Sequence, residues 1–415
     1  MILGAGASRG ASFADSSRQV LPPLDADFFE QAQRIDEAQF NGAGREVIDF
    51  VRDEYGATQM PTLETLFTQA QGYEQFVRQF YSRPGPKPVR YKKQLGYLLE
   101  LIPRVFEAAL KDQRCTWHDR IAHAMRLEDT IISFNYDVLI DEALRRLSEG
   151  IWKASPGYGI SISRGAATWS APRKRGAFPS KNYLRLLKPH GSLNWSLEDR
   201  TNRRLRLEAD PYSTPAASDN IIPPTWDKAI LQEWPWKPIW KEASQMLQRT
   251  RCLIVIGYSV PQTDLTSQAL IRSSLINKKL RLLIVANPDP AARTRVIDLA
   301  RGGIGASTRI LELDSLGDFA QLLDETPDEK RARQATTRQL QALRMRVFDL
   351  EEVADDLGMY DLDEIESQAD SIDEIETRVS ELEQYDLDSI EDSASEVDDL
   401  EQRVSALETE IEALE

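Results

Sequence analysis

Short apolar runs that stop abruptly at Gly, Asn or His alternate with helical periodicity along the first 315 residues. The runs are Met1-Ile2-Leu3 before Gly4, 130–134 before Asn135, 184–188 before Pro189-His190, 252–256 before Gly257 and 280–286 before Asn287, and a last strand is expected within 304–313. Runs of this kind, rich in Ile, Leu and Val and closed by turn residues, predict parallel strands buried on both faces. About a hundred residues separate the first run from the second. There Phe28, Phe29 and Ala32, then Val47, Phe50 and Val51, then Leu63, Leu66, Phe67 and Ala70, then Leu95, Leu98, Leu99, Ile102, Val105 and Phe106 recur at helical spacing. The stretch is too long for an ordinary crossover and reads as a helical insertion over one end of a sheet, about residues 24–127, broken at Arg83-Pro84-Gly85-Pro86-Lys87-Pro88. A helix is expected from Val138 to Leu147, a polar loop after Trp195 and a Trp-rich helix around Trp240. The fold class expected is α/β, a doubly wound, Rossmann-like parallel sheet with a large helical insertion.

Beyond about residue 327 the helical pattern runs to the end of the chain. Residues 360–384 match residues 385–409 at 14 of 25 positions, and Phe348-Asp349-Leu350-Glu351-Glu352-Val353 begins a partial third copy. A 25-residue repeat over seven turns gives about 3.57 residues per turn, so an apolar seam such as Leu362, Ile365, Ile372, Ile375, Val379 and Leu382 stays on one face. Two units follow: residues 1–325, and a helical, coiled-coil tail over 326–415.

Charge sharpens this division. The net charge of −16 separates into −25 over residues 348–415 and +9 over the residues before them. An oligomerising coiled coil is the first expectation for the tail, although like charges at flanking positions oppose parallel self-pairing. Packing along the basic body or against a basic partner subunit is the alternative. An acidic tail disfavours direct nucleic-acid contact by that part and leaves only an indirect role through the body.

No apolar run approaches the roughly 18–20 residues of a membrane span, and no signal peptide opens the chain. Only Cys115 and Cys252 occur, which fits a reducing compartment and excludes a four-cysteine zinc site. A soluble cytoplasmic protein without zinc is expected. Cys115-x-x-His118 has the spacing of half a metal site that nothing completes, so no metal is assigned, and His118 and His123 read as structural.

The candidate chemistry lies where the apolar runs end. Gly4 and Gly6 allow a sharp turn and close approach to a ligand, and Ser8 with the loop amides can face an oxyanion at a helix N-terminus. With Gly10 the spacing is one residue longer than G-x-G-x-x-G. Polar residues just past parallel strands, namely Asn135-Tyr136-Asp137, His190-Gly191-Ser192, Gly257-Tyr258-Ser259 and Asn287, sit where doubly wound sheets bind ligands. More ordinary roles are assigned to Asp264 as a helix cap, to Trp234, Trp236 and Trp240 as packing, and to Arg173-Lys174-Arg175 as a solvated loop.

Taken in order, Gly4-Ala5-Gly6-Ala7-Ser8, Phe134-Asn135-Tyr136-Asp137, His190-Gly191-Ser192 and Gly257-Tyr258-Ser259-x-Pro261-x-x-Asp264 resemble the sirtuin-like NAD-binding domain. Within it they are most similar to the bacterial sirtuin-like NADases of antiviral defence, as are Pro223-Pro224-Thr225-Trp226 and Lys228. The resemblance covers roughly residues 1–315. It implies an enzyme that takes NAD as substrate, cleaves the nicotinamide–ribose bond through an oxocarbenium-like state, and depletes NAD in antiphage defence. It further implies that Gly4, Ala5, Gly6, Ala7, Ser8, Gly191, Gly257, Ser259 and Asn287 hold NAD. His190 would act as general base, Asn135 would align water or the ribose hydroxyls, and Asp137 would accept from the nicotinamide carboxamide unless it caps the helix that follows.

Two departures bear on this. Protein-deacylating sirtuins carry glutamine before the asparagine, where Phe134 stands here, and a four-cysteine zinc ribbon that two cysteines cannot build. Hydrolysis is therefore favoured over deacylation, with a non-catalytic NAD or ADP-ribose sensor acting through the tail as the alternative. Three residues ahead of Gly4 make a short strand, and the natural chain is expected to extend upstream of Met1.

Overall fold

The computed structural model describes residues 1–323 except 36–41, 57–59, 81–85, 149, 173–182, 200, 202, 214–219, 223–228, 262–263 and 277. The chain divides into compact units Met1–Lys330 and Arg331–Glu415, and the second, with the repeats expected there, lies outside the described residues.

Strand β1 (Ile2–Leu3) runs into a single-turn helix α1 (Ala5–Arg9). Helices α2 (Phe28–Gln33), α3 (Gly42–Tyr55), α4 (Leu63–Phe80), α5 (Pro86–Leu110) and α6 (Thr116–Ala124) form the insertion. Strand β2 (Thr130–Ser133) then leads to α7 (Leu139–Leu147), the short turns α8 (Ala154–Gly157) and α9 (Ala166–Trp169), and β3 (Arg185–Leu187). Strands β4 (Trp195–Asp199) and β5 (Arg204–Leu207) follow, then α10 (Trp236–Arg249), β6 (Cys252–Ile256) and α11 (Leu265–Ser274). The described body closes with β7 (Leu280–Ala286), α12 (Pro290–Ala300), β8 (Ile304–Leu313) and α13 (Leu316–Leu322).

Six strands form one parallel sheet in the order β3-β2-β1-β6-β7-β8. The chain builds outward from β1 to β3, returns to the centre at β6 and builds outward again. The order reverses between β1 and β6, and the ends of these two strands open the crevice in which such sheets bind ligands. Although β1 has two residues, it is the central strand: Ile2 pairs with Ile132 and Val255, and Leu3 pairs with Ser133 and Ile256. Both side chains are buried, as are Ile131, Ile132, Leu253, Val255, Leu283 and Val285, because helices cover both faces.

The structure departs from the sequence expectation at two places. The stretch after Trp195 is an antiparallel hairpin, with Trp195 opposite Leu207 and Leu197 opposite Leu205. In β5 buried Leu205 and Leu207 alternate with Arg204 and Arg206, a short period-two signal that the surrounding polar residues obscure. Of the expected break at 83–88, residues 86–88 are helical instead, since α5 begins at Pro86, and residues 83–85 lie outside the described residues. Prolines in a first helical turn cost little because the N–H groups there lack intrahelical partners anyway. Among the described residues, no helix is long and apolar enough to cross a membrane.

Candidate functional site

Four loops meet at the C-terminal edge of the sheet. Gly4 and Gly6, after β1, pack directly on the loop after β6. The Gly4 N–H donates to the Ile256 carbonyl at 3.0 Å and the Gly6 N–H to the Gly257 carbonyl at 2.9 Å. A Cβ on Gly4 would stand 2.6 Å from the Gly257 oxygen, and one on Gly6 would stand 2.8 Å from the Gly257 Cα. Backbone-to-backbone contact between the loops thus requires both glycines, independently of any ligand. Gly257 is the tightest of the three, with φ +62 and a hypothetical Cβ 2.0 Å from the Ala7 nitrogen. Gly257→Ala is expected to cost about 3 kcal/mol or more, the sum of left-handed strain and overpacking against main chain that cannot yield. Urea unfolding of both proteins measures it.

Three polar side chains lock together behind this contact. The Ser8 hydroxyl donates to Asp137 Oδ2 at 2.6 Å. Asn135 Nδ2 donates to the Gly4 carbonyl and to Ser8 Oγ, each at 3.0 Å. Asp137 Oδ1 accepts from the Leu139 N–H at 3.1 Å, so from the position before the N-cap Val138 this carboxylate satisfies the first N–H of α7 as well as receiving Ser8. All three side chains are buried, and Asn135 Oδ1 is a buried acceptor with no hydrogen-bond partner. In a native protein such an atom calls for an explanation, because leaving it unpaired costs about 1–3 kcal/mol.

His190 follows β3. Its ring packs 5.1 Å from Phe134 and 6.0 Å from Trp240, centroid to centroid, and Trp240 donates Nε1–H to the Pro189 carbonyl at 2.9 Å. Phe134 in turn stacks on Tyr258 at 5.1 Å. His190 Nε2 lies 3.3 Å from Ser267 Oγ and 3.9 Å from Asp264 Oδ2. Asp264 caps α11, accepting from the Ser267 N–H at 3.4 Å. Serine, histidine and aspartate are close here, yet a nucleophilic triad needs its serine and carboxylate on opposite ring nitrogens. Both approach Nε2, and Ser267 is fully buried. Gly191 adopts φ +87, and a Cβ there would stand 2.1 Å from the Asn220 carbonyl oxygen, so only glycine fits.

A buried cation joins the β2 and β3 loops. Lys188 Nζ donates to the Asp137 carbonyl at 2.5 Å, to Ser192 Oγ at 2.6 Å and to Asp141 Oδ2 at 3.2 Å, and both charged side chains are wholly buried. The Tyr158 hydroxyl donates to the other Asp141 oxygen. Burial pushes the Asp141 carboxyl upward, and Lys188 opposes that shift. Three main-chain hydrogen bonds add to the clamp: Leu193 N–H to the Tyr136 carbonyl at 2.9 Å, Ile222 N–H to the His190 carbonyl at 2.8 Å, and Ser192 N–H to the Asn220 carbonyl at 3.2 Å.

The remaining candidates are peripheral to this cluster. Ala5 is exposed and Ala7 buried. Ser259 is exposed, and its carbonyl accepts from Arg295 Nε at 2.9 Å. Asn287, at the end of β7, turns Oδ1 to the Asp289 N–H at 3.0 Å, while its carbonyl accepts from Arg293 at 2.7 Å. Described hydrogen bonds join neither residue to the Asn135–Ser8–Asp137 cluster. Between them Val260 holds φ +55, a left-handed conformation that is strained for a β-branched residue and typical of loops built for a purpose. Residues 173–175, 223–226 and 228 lie outside the described residues.

Sequence reasoning gave no role to Lys188, Tyr136, Tyr258 or Ser267 and did not place Trp240 beside His190. The Tyr136 and Tyr258 hydroxyls are pushed up first by burial and then by the charge of Asp264, with Glu64 acting on both and Asp25 on Tyr136. The insertion therefore contributes negative charge to the same corner as His190. A separate cavity of about 650 Å³ lies within the insertion among Glu54, Tyr55, Gln69, Tyr73, Phe76 and Tyr91 and contains none of the strand-end residues.

Among the described residues, no three His, Cys, Asp or Glu side chains are grouped to hold a metal ion. Cys115 is buried against Ser12, whose N–H points at its sulfur from 3.4 Å. Burial opposes its thiolate, but His118 and the His118 and Ser12 amides outweigh that and bring the thiol down to about 7. Thiolate absorbance near 240 nm is expected to develop around pH 7 in the native protein and to be missing in Cys115→Ser. Cys252, pushed upward by burial, is expected to titrate well above it.

The chain is thus a Rossmann-like α/β protein whose polar strand-end residues gather at the switch point of a six-stranded parallel sheet. In sequence it matches no protein-family model and no curated protein.

Proposed function

We propose that this protein binds NAD at the β1/β6 switch point and hydrolyses the nicotinamide–ribose bond, giving nicotinamide and ADP-ribose. The observation that carries the reading is Asn135 Oδ1. It is a buried acceptor without a partner, held rigidly through Nδ2 by Gly4 and Ser8, at the edge of the sheet that also presents His190. A carboxamide oxygen so placed suits a ribose hydroxyl or a water molecule, each of which supplies the missing donor. As the C1′–N bond breaks, water adds to C1′, the bonding pair leaves with nicotinamide, and His190 takes the proton released by water. The aromatic walls Phe134, Tyr258 and Trp240 limit the water that reaches this step.

A second reading, NAD or ADP-ribose sensing without turnover, is favoured by the commitment of the Ser8 hydroxyl and the Gly6 N–H to internal partners. Incubating the full-length protein with NAD and measuring nicotinamide release separates the two. Release that is lost in His190→Ala and Asn135→Ala supports hydrolysis. Saturable NAD binding with no nicotinamide formed supports the sensor and overturns the hydrolase.

A further inference from the structure

We propose that Asp264 is the orienting carboxylate of His190 and sets the proton affinity of its ring, in addition to capping α11. The inference rests on the hydrolase reading only for its catalytic consequence. Its structural part stands on geometry: Asp264 divides its two oxygens, with Oδ1 on the Ser267 N–H at 3.4 Å and Oδ2 facing His190 Nε2 at 3.9 Å. Ser267 Oγ, at 3.3 Å from the same nitrogen, stands beside it. An ordinary cap would need only the first of these contacts.

The surroundings make the second contact matter. The His190 and Asp264 side chains are 13% and 10% exposed, so water screens their attraction only in part. On its other sides His190 meets the apolar rings of Phe134 and Trp240. Asp25 and Glu64 of the insertion act with Asp264 on the neighbouring Tyr136 hydroxyl, and Lys188, two residues before His190, is held by Asp141 in a buried ion pair. Asp264 is the carboxylate placed beside the imidazole itself. Its charge favours a proton on Nε2, which puts the lone pair of neutral His190 on Nδ1 and stabilises the imidazolium formed when that lone pair takes a proton. Asp264 does not touch the reacting atoms and acts through His190, so it is a positioning residue.

The chain has three histidines, His118, His123 and His190, so imidazole signals can be followed one by one in the full-length protein labelled at histidine. His190→Ala assigns the signal of interest. Asp264→Asn keeps a good helix cap while removing the charge and turning the second oxygen into an N–H donor. It is expected to lower the pKa of His190 by about one unit, the low end of the effect of an opposite charge within reach. Asp264→Glu should recover at least half of that shift, and Ser267→Ala should move it much less. An unchanged His190 pKa in folded Asp264→Asn overturns the proposal, as does an equal shift in Ser267→Ala, which would report general loosening. In the nicotinamide-release assay, Asp264→Asn should lower kcat about tenfold with little change in KM and move the acidic limb of the pH profile downward. A wild-type protein that releases no nicotinamide while Asp264→Asn still shifts His190 refutes the hydrolase and leaves the coupling in place.

Discussion

Lys188→Met is expected to lower the free energy of unfolding by about 3–5 kcal/mol, the usual cost of removing one partner from a buried ion pair. The methionine replaces the apolar stem but leaves Asp141 as an uncompensated carboxylate in a fully buried place. It also strips the Asp137 carbonyl and Ser192 Oγ of their donor. Urea unfolding followed by circular dichroism measures the loss. Pairing the change with Asp141→Leu should recover a large part of it, because a buried pair exchanged for apolar side chains of similar volume is often neutral. A double variant no more stable than Lys188→Met would show that the lysine acts through its hydrogen bonds to the loops and not through its charge. Because Lys188 joins the loop of Asn135 to that of His190, temperatures at which the single variant remains folded should still show weaker NAD turnover.

His190→Ala is expected to slow nicotinamide release by about 10²–10⁴-fold, the range that a positioned general base supplies. Asn135→Ala should slow it by about 10²-fold or more, and for a different reason. It removes the unpaired acceptor and also the two hydrogen bonds that tie Gly4 and Ser8 to the β2 loop. The two variants should therefore separate in stability. His190 is partly exposed, packing on Phe134 and Trp240 with Ser267 Oγ 3.3 Å from Nε2, whereas Asn135→Ala strips the buried Gly4 carbonyl and Ser8 Oγ of a donor and should cost about 1–3 kcal/mol in unfolding free energy. Steady-state release of nicotinamide at saturating NAD, together with urea unfolding, gives both numbers. Turnover unaffected by His190→Ala would remove the histidine from the chemistry.

The sheet was readable because parallel strands buried on both faces are almost purely apolar and end at turn residues. Residues 252–256 and 280–286 match β6 and β7, whereas β8 at 304–313 is an edge strand, largely exposed and carrying Ser307, Thr308, Arg309 and Glu312. The strand-end clusters after β1, β2, β3 and β6 were visible for the same reason: a polar or glycine residue directly after such a run marks the end of the strand. Much less legible was what each residue does there. Gly4 and Gly6 look alike whether they approach a ligand or a neighbouring loop, and the distances to Gly257 show that the loop already requires them. Asp137 and Asp264 each looked like a helix cap; Asp264 caps α11 while Asp137 takes the first N–H of α7 from the position before its N-cap, and each also turns its second oxygen to another loop, one to Ser8 and one toward His190.

Local pattern was enough for the alternation of strands and helices, the helical insertion between β1 and β2, and the edge of the sheet where the polar residues lie. These follow from periodicity and from turn chemistry, which depend on near neighbours along the chain. The strand order that puts two-residue β1 at the centre, the pairing of Lys188 with Asp141 47 positions away, and the meeting of Ser8 with Asp137 129 positions away were decided only by tertiary structure. No local pattern encodes them, because a buried charge or hydroxyl is tolerated only where a distant segment brings its partner.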